Sequence, residues 1–215
     1  MMDARTHRIT VPRTARYYVL GDMLGAAEVW FVLHGYSQLA ATLAKWFETA
    51  VKPGRLIVAP EALSRSYFEE RGARRVGASW MTKEDREAEI ADYIRYLDAV
   101  ADEVIGALPP RPRVEIHGFS QGAATASRWA AFGKHIPNRL VLWGGTVPPD
   151  LEPDQLRRAL HESPLVIAIG NRDQFIPAAE VDKEHARLVG AGIRVELRGF
   201  DGGHKVDLGV LADLA

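Results

Sequence analysis

Six short apolar runs, separated by longer stretches that suit helices, constrain the fold of this chain more than any other feature. "VWFVLHG" (29–35), "RLIVAPE" (55–61), "RVEIHGFS" (113–120), "RLVLWGG" (139–145), "PLVIAIGNRD" (164–173) and "IRVELRGF" (193–200) read as strands. Several are almost continuously apolar, as strands are when both faces of their sheet are covered. Between them the pattern predicts helices over 38–51, 83–106, 121–134, 153–161 and 178–191. In the 83–106 segment Ile90, Ile94, Leu97, Ala101 and Val104 share one face at helical spacing, and Gly106 with Pro109 and Pro110 ends it. Residues 8–20 are expected to form a β-hairpin at an edge of the sheet. This alternation predicts a single α/β domain on a doubly wound, mostly parallel sheet, and 215 residues suffice for one such core.

One stretch fits neither period. Residues 61–82, "EALSRSYFEERGARRVGASWMT", mix charges and two glycines with Leu63, Tyr67, Phe68, Trp80 and Met81. A connection of this length in a compact domain is expected to be a lid or pocket wall, or else a flap pinned to the core by its aromatics.

Composition narrows the function classes. A net charge of -1 supplies no electrostatic reason to bind nucleic acid or an anionic membrane. The absence of cysteine excludes disulfides, thiolate metal sites and a cysteine nucleophile, so a covalent catalyst must be another residue. The N-terminal stretch is charged and has no apolar core of a signal peptide, and no apolar run nears the roughly 20 residues of a membrane span. A cytoplasmic location is expected. The composition is silent on oligomeric state.

Chemistry enters at "HGFSQGAA" (117–124), where Ser120 stands in a G-x-S-x-G pattern. That pentapeptide alone arises by chance in roughly one chain in twenty of this length. Its setting is more specific, because it follows a strand and opens an alanine-rich helix, the arrangement of a nucleophile elbow. Gly118 and Gly122 leave room for the tight turn, and the helix N-terminus below favours developing negative charge. A serine nucleophile needs a base, and the base needs an orienting acid. Asp173, just past one strand, and His204, just past the next, follow Ser120 in the order Ser, Asp, His. Asp201 and Asp207 are alternatives for the acid, but each lies only three residues from His204 and is poorly placed to orient its ring. The N–H of Gln121 and that of Tyr36 are candidate oxyanion donors. His34 is expected to brace the Tyr36 loop by hydrogen bonds.

"LHGYS", "HGFSQGAA", "GNRDQFIP" and "DGGHKV" together resemble, in order, the phospholipase/carboxylesterase family of α/β-hydrolases, which includes acyl-protein thioesterases and small bacterial esterases. The resemblance runs from about residue 17 to the end. It implies the α/β-hydrolase fold, a Ser120–Asp173–His204 triad, an oxyanion hole at Tyr36 and Gln121, and no metal or organic cofactor. It departs from the family at "YSQLAAT", where a glycine-rich stretch is usual, and at "SWMTKED", where W-F-D is usual. Both departures touch the substrate groove and weigh against a thioesterase or lysophospholipase more than against esterase chemistry. The implied activity is hydrolysis of small-molecule carboxylic esters; a hydrolase-fold binding protein without turnover is the alternative of another class. Leu63, Tyr67, Phe68, Trp80 and Met81 are expected to wall the substrate pocket. Their bulk predicts an optimum at about C4 to C8 acyl groups.

Overall fold

The computed structural model describes residues 4–70 and 72–215. Its central sheet holds seven strands: β1 (Tyr17–Leu20), β2 (Glu28–Leu33), β3 (Arg55–Pro60), β6 (Arg113–Phe119), β7 (Arg139–Trp143), β8 (Leu165–Gly170) and β9 (Val195–Phe200). They lie in the order β1-β3-β2-β6-β7-β8-β9, and all are parallel except β1, which runs antiparallel to β3. The runs read as strands are strands because alternate side chains bury in opposite layers. Val29, Phe31 and Leu33 of β2 enter one hydrophobic cluster, whereas Trp30 and Val32 enter the other.

Six helices cover the two faces among the described residues. On the first layer lie α2 (Arg86–Gly106), α3 (Gln121–Phe132), α4 (Pro153–Leu160) and α5 (Ala178–Gly190), which contribute Leu97, Trp129, Leu156 and Leu188 to its core. On the second lie α1 (Ala40–Trp46) and α6 (Leu208–Leu214), which contribute Leu43 and Leu211. The chain leaves β2 through α1 on one layer to reach β3, and leaves β6 through α3 on the other to reach β7. The loops after β2 and β6 therefore diverge to opposite layers, the arrangement of a topological switch point in an α/β sheet.

Two expectations need correction, and one helix was not anticipated. Residues 8–16 form no strand, and only β1 builds the sheet edge. Pro12 there lacks the N–H a ladder needs, and the segment is fastened by side chains instead, with Arg8 on Asp85 and Arg16 on Glu61. The 61–82 stretch is not a structureless loop: β4 (Ser64–Glu70) and β5 (Ala73–Ser79) pair as an antiparallel hairpin, with Phe68 opposite Arg75 and Tyr67 opposite Val76. Helix α6 had no counterpart in the pattern. It is short, and Asp207 caps it by accepting from the N–H groups of Gly209 and Val210.

The hairpin is tied to the body at its base. Trp80 is 3% exposed, its indole N–H donates to the His34 carbonyl at 2.8 Å, and its ring lies 5.0 Å from that of His34 and edge-on to Tyr93. That environment fits the pinning role rather than an open pocket wall. His34 Nδ1–H donates to the Gly35 carbonyl at 2.8 Å, and Nε2 accepts from the Ala62 N–H at 3.0 Å. The ring is neutral, because burial pushes its pKa down to about 4. Burial holds His117 below its ordinary value as well; it stacks on Trp30 in the second layer.

Two outcomes follow from this packing. Trp80→Ala should lower the melting temperature, because truncating a buried tryptophan costs about 3–5 kcal/mol. A melting temperature equal to that of the wild type would place the indole outside the core. The second concerns acid. The unfolded chain binds protons at His34 near pH 6.5, whereas the folded chain resists until about 4. This part of the stability is complete above pH 6.5 and is lost as pH falls toward 4, at about 1.4 kcal/mol per unit for one such group. Urea unfolding at pH 7 and pH 5 should show a loss on the order of 2 kcal/mol or more. Equal stabilities at the two values would mean that the buried histidines are not held neutral.

Candidate active site

Ser120 sits between β6 and α3 with φ 55° and ψ -117°, a strained backbone for a residue with a side chain. The neighbouring glycines let the chain turn there. A methyl group on Gly118 would lie 2.2 Å from the Gly122 carbonyl oxygen, and one on Gly122 would lie 2.2 Å from that of Leu33 at the end of β2. Three segments of bare backbone thus pack directly on one another. The Ser120 N–H donates to the Trp143 carbonyl at 2.9 Å, and its own carbonyl accepts from Ala123. Sterics and hydrogen bonds fix the turn that lifts the serine above the sheet.

Asp173 and His204 meet across the loops that follow β8 and β9. His204 Nδ1–H donates to Asp173 Oδ2 at 2.8 Å, with the aspartate side chain fully buried and the imidazole 13% exposed. Asp173 Oδ1 accepts from the Phe175 N–H at 2.9 Å, so both carboxylate oxygens are engaged. With Nδ1 carrying the proton, Nε2 is left as the basic nitrogen. The two loops are zipped by backbone bonds from Asn171 to Phe200 and from Arg172 to Gly202. Gly170 permits this approach, since a methyl there would lie 2.2 Å from the Gly202 carbonyl oxygen.

The imidazole lies beside the serine turn. Its ring centroid is 4.9 Å from that of Phe119, the residue before Ser120. Gly144 and Gly145 pass between the loops. Positions where their methyl groups would stand are 3.0 Å from the His204 ring and 3.1 Å from the Ser120 carbonyl oxygen, respectively. Gly35 comes equally close, 3.2 Å from Ser120 Cβ by the same measure. Loops after β2, β6, β7, β8 and β9 therefore converge on one point at the C-terminal edge of the sheet.

The rival acids are engaged elsewhere. Asp201 is exposed and paired with Arg172 at 2.7 Å, and Asp207 caps α6. Among the described residues, neither the Gln121 N–H nor the Tyr36 N–H has a hydrogen-bond partner, whereas that of Gly35 is taken by the Gln38 side chain at 3.0 Å. Gln121 opens α3, where N–H groups have no partner within the helix.

The expected pocket residues divide. Tyr36 and Tyr67 are exposed, and the Tyr36 ring meets Phe68 edge-on at 5.3 Å. Leu63 is half-buried, and Met81 packs against the first core layer with Trp80. A groove of about 540 Å³ does open behind Asp173, between α5 and the β8–β9 edge, over Ile167, Ile169 and Leu197. None of the expected wall residues lines it.

Other residues at the site escaped the reading of the sequence. Phe175 is exposed and meets the His204 ring edge-on with the centroids 4.7 Å apart, yet nothing in "DQFIP" distinguishes it. Gly144 and Gly145 had a usable signal, a pair of glycines directly after a buried strand. No group of three or more His, Asp or Glu side chains among the described residues is arranged to hold a metal ion. No helix among them is long and apolar enough to cross a membrane.

Comparison with known proteins agrees with this architecture. Among solved structures, esterase PE8 superimposes with a TM-score of 0.70 at 21% identity, covering 94% of this chain and 96% of its own. Acyl-protein thioesterase 2 of Zea mays gives 0.69 at 16% identity over the same shares, and the carboxylesterase of Bacillus cereus gives 0.66 at 18% over 93% and 91%. At these identities the likeness speaks for the fold. A comparison with curated protein sequences finds no match. Residues 22–215 match the profile of the family described as phospholipase/carboxylesterase, and over that span, nearly the whole chain, the protein belongs to this family of α/β-hydrolases.

Proposed function

We propose that this protein is a serine carboxylesterase that hydrolyses short- to medium-chain esters through an acyl-enzyme on Ser120. The observation that carries the reading is the strained Ser120 turn beside a hydrogen-bonded, buried Asp173–His204 pair. In the first half-reaction Ser120 Oγ adds to the ester carbonyl while His204 Nε2 accepts the hydroxyl proton. Asp173 keeps the ring in the tautomer that can do so and stabilises the imidazolium. The oxyanion is held by the N–H groups of Tyr36 and Gln121. Collapse of the adduct expels the alkoxide, which takes the proton from His204. Water, deprotonated by the same nitrogen, then attacks the acyl-serine and releases the acid. The mechanism draws on no metal or organic cofactor.

Substrate size is read from the loops around the serine. Tyr36 and Phe68, in edge contact beside the Tyr36 N–H, would close the acyl site early, with Leu63 and Tyr67 at its margin. A second reading, acyl-protein thioesterase, is favoured by the structural likeness to the Zea mays protein and would use the same residues. A cytoplasmic location belongs to the same proposal.

Three measurements test it. Ser120→Ala should keep the fold and lose hydrolysis of p-nitrophenyl esters by several orders of magnitude, and a fluorophosphonate should label the wild type at Ser120 alone. Retention of more than about a tenth of the turnover in Ser120→Ala rules the mechanism out. Asp173→Asn should cost on the order of 10⁴ in rate, the effect of that change in a serine protease, and Asp201→Asn little. The reverse ranking would transfer the acid to Asp201. Across a p-nitrophenyl series from acetate to palmitate, kcat/KM should peak at about C4 to C8. A peak at palmitate, matched by a palmitoyl thioester, would favour the thioesterase reading.

A further inference from the structure

Strand β5 is bonded to both loops that carry the candidate oxyanion donors. Toward the loop after β2, the Ala78 N–H donates to the Gln38 carbonyl at 3.3 Å, and the Arg75 guanidinium holds Ser37 at its carbonyl and, at 3.1 Å, at its hydroxyl. Ser37 itself has φ 58°, a left-handed conformation for a residue with a side chain, adjacent to Tyr36. Gly77 fits because it has no side chain: a methyl there would lie 2.3 Å from the Ser37 carbonyl oxygen. Toward the serine elbow, the residues that leave β5 meet the Gln121 side chain as if it were another strand. The Trp80 N–H donates to Gln121 Oε1 at 3.0 Å, and Gln121 Nε2 donates to the Met81 carbonyl at 2.8 Å.

We infer that the β4–β5 hairpin is the element that sets the spacing of the oxyanion hole, with Gly77 and the Gln121 side chain as positioning residues for the reaction. The inference rests on the serine-esterase reading and goes beyond it. The contact of Gly122 with the Leu33 carbonyl brings the two loops together at the strand ends, but beyond it they diverge to opposite layers of the sheet, so that contact does not by itself set the spacing of the donors. Beyond it, β5 and the residues that follow it are bonded to both loops. Oxyanion donors act only when they lie within about 2.7–3.1 Å of the oxygen in its anionic, tetrahedral position. A shift of a few tenths of an ångström at Ser37 or Gln121 therefore weakens the transition state while leaving the bound ester, whose carbonyl oxygen asks less of the donors, almost unchanged. Through these bonds the hairpin, whose outer face exposes Tyr67, communicates with the reacting centre without touching the reacting atoms.

The test uses Gly77→Ala and Gln121→Met in the full chain. The first pushes a methyl against Ser37, and the second keeps the length of a half-exposed side chain while deleting its amide. Each variant is assayed on p-nitrophenyl butyrate, with active sites counted by complete fluorophosphonate labelling of Ser120. Each should lose about 10- to 100-fold in kcat, less than or equal to the loss on deleting a donor outright, with KM within about threefold of wild type. Affinity for a trifluoromethyl ketone, which adds to the serine as an oxyanion, should fall by the same factor as kcat/KM. A merely structural role would lower the melting temperature and the labelled fraction but leave kcat per labelled site intact. If Gly77→Ala does not fold, Gln121→Met decides alone. An active, labelled wild type whose folded variants keep kcat within about threefold, or lose only KM, overturns the inference and spares the esterase reading. A wild type that neither hydrolyses nor labels overturns both.

Discussion

The close approach of three backbone segments at Leu33, Gly118 and Gly122 is the contact on which the rest of the site depends. A parallel sheet brings its strand ends side by side at about 4.8 Å, and side chains ordinarily keep the connecting loops farther apart than that. Here the helix that follows β6 begins against the carbonyl at the end of β2, with no side chain between them. Only then can Ser120 hold a backbone conformation that costs on the order of 1–3 kcal/mol, because the surroundings leave it no room to relax. The same approach aims the first N–H of α3 and the loop after β2 at a common point.

Around this contact the fold divides its labour. The two buried layers, with Trp129 in one and Trp143 in the other, supply the burial that keeps the sheet in register. Two polar side chains fix the loops of the site. His34 holds the stretch after β3 and the stretch after β2 together while staying neutral, and Gln121 substitutes for a strand beside Trp80 and Met81. In each case the polar atoms are satisfied by backbone groups, which makes the arrangement specific as well as stable.

What could be read from the sequence follows from whether the determinant is local. Strands such as "VWFVLHG" and "PLVIAIG" were legible because burial on both faces writes itself into every position. The order of Ser120, Asp173 and His204 could be read because each stands immediately past such a strand. The β4–β5 hairpin was not legible: Tyr67 and Phe68 point to opposite faces, charges surround both, and the hairpin is held by bonds to Gln38, Ser37 and Gln121, far away in the chain. The role of Phe175 was hidden for a related reason, and for Trp80 the sequence left pocket wall and pin as alternatives. A phenylalanine beside an imidazole and a tryptophan on a carbonyl are facts of three-dimensional proximity, and the local pattern carries no trace of them.

The position of β9 has a consequence for how the molecule comes apart. Strand β6, which presents Ser120, is central and buried from Val114 onward, whereas β9, which leads to His204, is the last strand and alternates half-buried with exposed residues. Local opening requires little free energy where few apolar contacts are broken, and approaches the cost of global unfolding in the middle of a sheet. The serine therefore stands on a central strand, and the histidine follows an edge strand where opening is expected to require less free energy. Local opening at β9 would carry the imidazole away from an elbow that is still formed.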